Sequence, residues 1–275
     1  GLLSLTGSAK SPGELAAMRD AFARADRVME ASIAFVQERL AAGERVTEAD
    51  LADKIEAGFM ARGASGLSFR VIAGAGANGA NIHYGPPDPQ RAIVAGELVL
   101  IDTGGYFDEG YATDLTRTFL AGDGQPTPTQ RARFTHVLRA AVAGMSARFP
   151  VGTRGEQLDA LVRAPLWEVG LDYTHGTGHG VGVNVHEAPP RITTRAPGPL
   201  EAGQVFSIEP GVYVAGWGGI RIENLCTTVV GEDGFLEVEA LTFAALDERL
   251  IDDELLSQRE RRWLEGYRAQ RERTL

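Results

Sequence analysis

Three of the chain's five histidines, His175, His179 and His186, fall in the stretch HGTGHGVGVNVHE, where they alternate with four glycines. Glycine costs roughly 0.5–1 kcal/mol relative to alanine inside a regular element, so its repetition marks backbone that turns sharply or passes close to another group. The stretch is poor as helix and as plain core strand, and it reads as a site. Acids supply the rest of the chemistry. The segment AGELVLIDTGGY at 95–106 matches AGQVFSIEPGVY at 202–213, an offset of 107 residues (202 − 95 and 209 − 102), which sets Asp102 and Glu209 at equivalent strand ends. Each is followed on the next strand by another acid, Asp114 and Glu223. One acid at a strand end could simply face water. Four in symmetric positions converge if the halves face one another, and they would repel strongly without cations between them. Two divalent ions balance four carboxylates, and oxygen donors joined by an imidazole suit manganese, cobalt, iron or zinc better than a thiolate-seeking ion. His179, with glycines on both sides to let backbone pass close to metal and substrate, can supply that imidazole.

The scaffold needed to position these groups is doubled as well. Ser11, Pro12 and Glu14 form a capping box with proline at the first helical position. The helix that follows carries an apolar stripe of Leu15, Met18, Phe22, Ala25, Met29, Ile33, Val36 and Leu40 and stops near Gly43. A second helix, capped by Thr47, bears Leu51, Ile55 and Phe59 and ends at Gly63, and the runs LSFRVI, ELVLID and ATDLTRTFL then read as strands. After the loop GDGQPTPTQ the plan restarts. Thr127, Pro128 and Gln130 cap a helix carrying Phe134, Val137, Leu138, Ala141 and Met145, and a further helix, kinked by Pro165, runs from about Thr153 to Gly170. The strands QVFSIE and GIRIENLCTTVV close the half. Thr47 lies 55 residues before Asp102 (102 − 47) and Thr153 lies 56 before Glu209 (209 − 153), which favours internal duplication. The expected organisation is one domain over 1–275, with pseudo-repeats at about 11–122 and 127–231. An extension at 240–275 reads as a strand, a loop and an amphipathic helix bearing Leu255, Leu256, Trp263 and Leu264.

Composition restricts the function classes. The 275 residues are 44% hydrophobic, enough for a large core, and the net charge of −10 argues against a general nucleic-acid binder or an anionic-membrane binder. The single cysteine, Cys226, permits no intrachain disulfide and reads as a small buried hydrophobe in a strand. No apolar run approaches ~18 residues and the first residues lack a signal-peptide layout, so the cytoplasm is the expected compartment. The sequence given begins at Gly1, which is compatible with processing.

The segments VLIDTGGYFDEGYATDLTRTF, HGTGHGVGVNVHEAP, FSIEPGVYV and GIRIEN together resemble the pita-bread metallopeptidases, which include methionine aminopeptidase, prolidase and Xaa-Pro aminopeptidase. The resemblance covers residues 11 to 231, and the tail from LTFAALDERL onward is similar to the extension of Xaa-Pro aminopeptidases related to the eukaryotic cytosolic enzyme. It implies an α+β pita-bread (creatinase/aminopeptidase) fold with two pseudo-symmetric halves of helices packed on a curved, mostly antiparallel sheet. It further implies two divalent metal ions, Mn2+ foremost with Co2+, Zn2+ or Fe2+ as alternatives. Asp102 and His179 with Glu209 would each serve one ion, and Asp114 and Glu223 would bridge both. His83 in NIHYGPP and His186 would donate hydrogen bonds to the substrate carbonyl and its oxyanion. His175 would line the position after the scissile bond, and Arg221 would orient the acids. His136 matches nothing and reads as structural. Asp102 and Asp114 are twelve residues apart where the family has eleven, so a bulge near Asp108–Gly110 is expected. Family members of this kind carry additional N-terminal domains that the given sequence does not include, and a homodimer is expected.

The implied reaction is metal-assisted amide hydrolysis, with Glu209 carrying a proton from water to the leaving proline nitrogen. The substrates would be peptides with proline at position 2, cut after residue one. Rival readings are an Xaa-Pro dipeptidase, a methionine aminopeptidase, and a pita-bread protein that only binds. All five metal ligands are present, which disfavours the last. A dipeptidase needs a cation for the proline carboxylate, and Arg191 and Arg195, in a Pro-rich loop, show no identifiable clamp in the sequence.

Overall fold

Ser11 caps the first helix as the sequence requires: its hydroxyl accepts the Glu14 N–H while the Glu14 carboxylate accepts the Ser11 N–H at 2.8 Å. The computed structural model describes residues 8–196 and 198–275. Helix α1 (Pro12–Ala41) buries Met18, Phe22, Ala25, Met29 and Val36 against α2 (Glu48–Met60), which Thr47 caps and which buries Leu51, Ile55 and Phe59. The strands β1 (Ala64–Leu67), β2 (Ile72–Ala75), β3 (Leu98–Thr103), β4 (Gly105–Phe107) and β5 (Leu115–Leu120) complete the first half. The second half repeats the plan with α3 (Pro128–Met145), β6 (Arg148–Phe149), α4 (Gly155–Trp167), β7 (Gly178–Gly180), β8 (Glu187–Ile192), β9 (Val205–Ile208), β10 (Gly211–Val214), β11 (Gly218–Arg221) and β12 (Asn224–Val230). Strand β13 (Leu236–Ala240) and helix α5 (Gln258–Thr274) end the chain.

The strand pairs are antiparallel, and the halves correspond. The order β2-β3-β5 in the first half has its counterpart in β7-β9-β12, the middle of a six-stranded sheet ordered β6-β13-β12-β9-β7-β8. Asp102 is the last residue but one of β3 and Glu209 directly follows β9, so each acid stands at the same end of the central strand of its half. The cap of α4 is Arg154, not Thr153, with the Gln157 side chain accepting the Arg154 N–H at 2.9 Å. This correction makes the two cap-to-acid spacings equal, since 209 − 154 and 102 − 47 are both 55. Pro165 lies inside α4, whose last helical residue is Trp167.

Three expectations change. LSFRVI is not one strand, because the chain leaves β1 at Leu67 and rejoins at Ile72 in another sheet, with Ser68 held by Gly104 and Thr113 between them. The extra residue between Asp102 and Asp114 produces no bulge in the β3–β5 ladder, which is regular from Leu98↔Leu120 to Thr103↔Leu115. It lies in an excursion through β4 and a turn closed by Gly110 N–H to Phe107 O, where Gly110 takes φ +85°. In the tail, Ser257 caps α5, so Leu255 and Leu256 precede the helix while Trp263 and Leu264 lie on it.

The tail packs on α1. Asp26, fully buried on α1, accepts the Phe243 N–H at 2.7 Å, and its other oxygen has no partner. Burial is the main cause that pushes its pKa up to about 7, against the hydrogen bond from Phe243 and the charge of Arg117. A carboxyl whose pKa is raised on folding loses stability as pH rises from its unfolded pKa through its folded one. The window here is about pH 4 to 7. Between pH 5 and pH 8 the protein should lose roughly 2–3 kcal/mol relative to Asp26→Asn. Urea unfolding of both proteins at both pH values, in the same metal state, measures this, and a constant gap would contradict it.

Candidate metal centre and active site

A cavity of about 530 Å³ lies where the two halves meet, lined among others by His83, Asp102, Asp114, His175, His179, His186, Glu209 and Arg221. The structure therefore brings together eight of the nine residues singled out in the sequence. The ninth, Glu223, lies behind them: Asp114, His179 and Glu223 each offer a ligand atom within 4.8 Å of the others. His136 sits half-buried on α3, outside the lining. Cys226 is fully buried on β12, and burial raises its thiol pKa, so it is no nucleophile.

The glycines of the histidine stretch do mark close approach of the backbone to other groups. A Cβ on Gly178 would stand 1.8 Å from Ser207 O, and one on Gly180 would stand 2.6 Å from Glu187 O. The close approach is to neighbouring strands, which sets β7 tightly between β8 and β9 and fixes the direction of His179. The β7–β8 register jumps between His179 and Gly180, from Arg191 to Glu187. Strand β8 is an edge strand, which is why it can hold Pro189 and Pro190. Arg191 is therefore not in a loop. It pairs across from His179 and lines the cavity, whereas Arg195 is outside the lining.

His179 Nε2 stands 3.3 Å from both Asp114 Oδ2 and Glu209 Oε1, while its Nδ1 lies 3.1 Å from Gly180 O. Burial opposes charge on this ring, but the two carboxylates outweigh it and raise its pKa well above the ordinary value. Asp114 is driven up to about 7, chiefly by burial and then by the negative neighbours Asp102 and Glu209, with His179 opposing. Glu223 is raised well above the usual carboxylate range by burial and by Asp114, Glu209 and Asp102. Glu209 goes the other way: burial raises its pKa, yet His179, His175 and Arg221 overcome this and hold it at about 2.

The surroundings orient these acids. Arg221 donates to Asp102 Oδ2 at 2.6 Å, to the Tyr213 hydroxyl at 2.9 Å and to Thr116 Oγ1 at 3.2 Å. Thr116 in turn donates to Glu223 Oε2 at 2.7 Å, and Ser207 donates to Glu209 Oε1 at 2.8 Å. Thr116, Ser207 and Tyr213 were not singled out from the sequence. The period of two along DLTRT places Asp114 and Thr116 on one face and was the available signal for Thr116. His175 spans Gly176 O at 2.7 Å and the Tyr213 hydroxyl at 2.8 Å, so both its ring nitrogens are occupied by protein and it presents only its ring to the cavity. Burial lowers the pKa of His175, and burial followed by the charge of His179 lowers that of His186.

The donor set fits cations. Two buried carboxylate oxygens, Asp102 Oδ1 and Glu223 Oε1, have no hydrogen-bond partner, and leaving such atoms unpaired is costly. Four carboxylates around one arginine and one imidazole leave an excess of negative charge that divalent ions would neutralise. Asp102, Asp114, His179, Glu209 and Glu223 are the residues able to hold them.

Comparison with known proteins agrees with this geometry. The sequence pattern of metallopeptidase family M24 matches residues 16–230, and that of the C-terminal region of peptidase M24 matches 234–275. A Laccaria bicolor protein named probable Xaa-Pro aminopeptidase P is 40% identical over 275 aligned residues, covering 95% of this chain and 42% of that protein. The crystal structure of X-prolyl aminopeptidase from Caenorhabditis elegans, described as a cytosolic enzyme with a di-nuclear active site, superposes with a TM-score of 0.93 at 35% identity. It covers 100% of this chain and 46% of that one. Prolidase from Pyrococcus furiosus superposes at 0.78 with 29% identity, covering 88% of this chain and 67% of that one. The chain thus spans less than half the length of the first two relatives, and its fold is the α+β pita-bread fold. Five convergent metal-ligand candidates, the doubled scaffold and a family match over residues 16–230 make the chain a member of metallopeptidase family M24.

Proposed function

We propose that this chain is the catalytic part of a dinuclear-metal aminopeptidase that removes the first residue from peptides with proline at position 2. The observation that carries the reading is that Asp102, Asp114, His179 and Glu209 line one cavity with Glu223 grouped directly behind Asp114 and His179, in a chain that also has the C-terminal region of its family. Manganese is the proposed ion, since four hard oxygen donors and one imidazole suit it. Bound divalent ions would polarise the scissile carbonyl and lower the pKa of water. Glu209, ionised and held by Ser207, takes the proton of the attacking water and delivers it to the leaving proline nitrogen. His83 and His186 donate to the substrate carbonyl oxygen, and His175 packs beside the leaving group. Arg221 and Thr116 hold Asp102 and Glu223 in place. A cytosolic location, as in the nematode relative, and a homodimer complete the proposal.

His83→Ala should keep metal and lose about 10–100-fold in kcat, because its role is toward substrate. Metal analysis beside steady-state kinetics decides this, and loss of metal in that variant would reassign the residue.

Arg191 favours a second reading, an Xaa-Pro dipeptidase, because a guanidinium lining the cavity could pair with the carboxylate of a C-terminal proline. Mass spectrometry of digests separates the two. Xaa-Pro-Xaa and longer peptides should be cut after residue one, and replacing proline by alanine or blocking the amine should reduce kcat/KM by at least ~tenfold. Hydrolysis confined to Xaa-Pro dipeptides would establish the second reading instead.

A further inference from the structure

Glu223 sits in a gap between β11 and β12, so no sheet ladder fixes its backbone. Two hydrogen bonds from β5 do so. Its N–H donates to Thr116 O at 3.2 Å, and its carbonyl accepts from Arg117 Nη1 at 2.7 Å. Arg117 follows Thr116 and points to the opposite face of β5: Thr116 serves the carboxylate on the cavity side, and Arg117 holds the backbone from behind. Arg117 is 1% exposed, and its hydrogen-bond acceptors among the described residues are backbone carbonyls, an amide oxygen and a phenol hydroxyl. A buried charge in that position is tolerated only when hydrogen bonds satisfy it. Besides Thr116 O, Glu223 O and Asn224, the acceptors come from the C-terminal segment. Arg117 donates to Ala244 O at 2.8 Å, Ala245 O at 3.2 Å and the Tyr267 hydroxyl at 2.7 Å, and also to Asn224 Oδ1 at 2.8 Å. Tyr267, on α5, donates its own proton to Ala244 O at 2.7 Å. The segment is gripped from its other side by α1, with Asp26 accepting the Phe243 N–H and Glu30 accepting the Ala245 N–H at 2.9 Å.

We infer that the C-terminal extension is a positioning element of the metal centre, acting through Tyr267 and Arg117 on the backbone of Glu223. Tyr267 is one of the groups that hold the guanidinium where it reaches both Ala244 O and Glu223 O. Without it the guanidinium is held less firmly, and the Glu223 carboxylate loses part of its fixed direction. The inference rests on the reading that Glu223 holds metal.

The test is titration of the full chain with Mn2+ by calorimetry, with kinetics and thermal melts of the metal-free protein alongside. Tyr267→Phe removes one hydroxyl and no packing. It should weaken binding of at least one of two Mn2+ ions by about 10–100-fold and lower kcat with KM within twofold of wild type. Arg117→Lys keeps charge but cannot span Glu223, Asn224, Ala244 and Tyr267 together, and should do the same more severely. If Arg117→Lys does not fold, Tyr267→Phe decides alone. A lower melting temperature with Mn2+ affinity and kcat unchanged would show that the extension only fastens the fold, and would overturn the inference. If the unaltered chain failed to bind two Mn2+ ions, the metal reading of Glu223 would fail first and take the inference with it.

Discussion

Glu223→Ala should reduce bound metal from two equivalents to one or fewer and lower kcat/KM by about a thousandfold, some 4 kcal/mol of transition-state stabilisation. The size follows from position. Glu223 is 1% exposed, one oxygen is committed to Thr116, and the other has no protein partner, which leaves it free to take a cation. Without ions it raises the energy of the site, because burial and three neighbouring carboxylates all oppose its ionisation. Removing it relieves repulsion in the metal-free protein and removes attraction in the loaded one. The increase in melting temperature on adding Mn2+ should therefore shrink, since stabilisation by a bound species follows its affinity. Metal analysis by mass spectrometry and melts with and without Mn2+ read both quantities. Two tightly held ions at a near-normal rate in this variant would remove Glu223 from the centre, and full activity of chelated wild-type protein would remove metal from the reaction.

Local chemistry explains which parts of this molecule were legible from sequence. Ser11, Thr47 and Thr127 cap their helices because a capping box lies within four residues, and such signals need no tertiary information. The cap at Arg154 was misplaced by one residue because arginine is not a usual cap and the neighbouring Thr153 is. The pairing of Asp102 with Glu209 followed from the repeat offset alone. The break within LSFRVI was not legible, because it arises where the chain changes sheet, and the apolar pattern is the same on either side of such a switch. The hydroxyl contacts of Thr116, Ser207 and Tyr213 depend on which side chains the fold brings together, across the two halves for Thr116 and Glu223, 107 residues apart, and within the second half for Ser207 with Glu209 and Tyr213 with His175. Arg117 was the least legible: its partners lie up to 150 residues away, and a charged residue in a strand otherwise reads as solvent-facing.

Glu209→Gln should lower kcat by about 10²–10⁴ while metal stays bound, because an amide keeps the shape of the carboxylate but cannot accept a proton. Opposing forces act on the charge of Glu209. It is surrounded by protein, which disfavours its charge, yet His179, His175 and Arg221 hold its pKa near 2, so its carboxylate is ionised throughout the working pH range. Its N–H donates to Thr177 O at 2.8 Å, and Ser207 donates to Oε1, an interaction that a glutamine oxygen can retain. The variant therefore changes proton affinity more than geometry. A prolyl nitrogen is a poor leaving group until protonated, so losing the proton carrier should lower kcat and kcat/KM together and leave KM nearly unchanged. Steady-state kinetics on an Xaa-Pro-Xaa peptide, with metal content measured on the same sample, separates the outcomes. A loss below tenfold with metal retained would assign proton transfer to another group, such as His83 or His186, which line the same cavity. Complete loss of metal would show that the negative charge of Glu209 is needed to hold the ion and would leave its role in proton transfer without support.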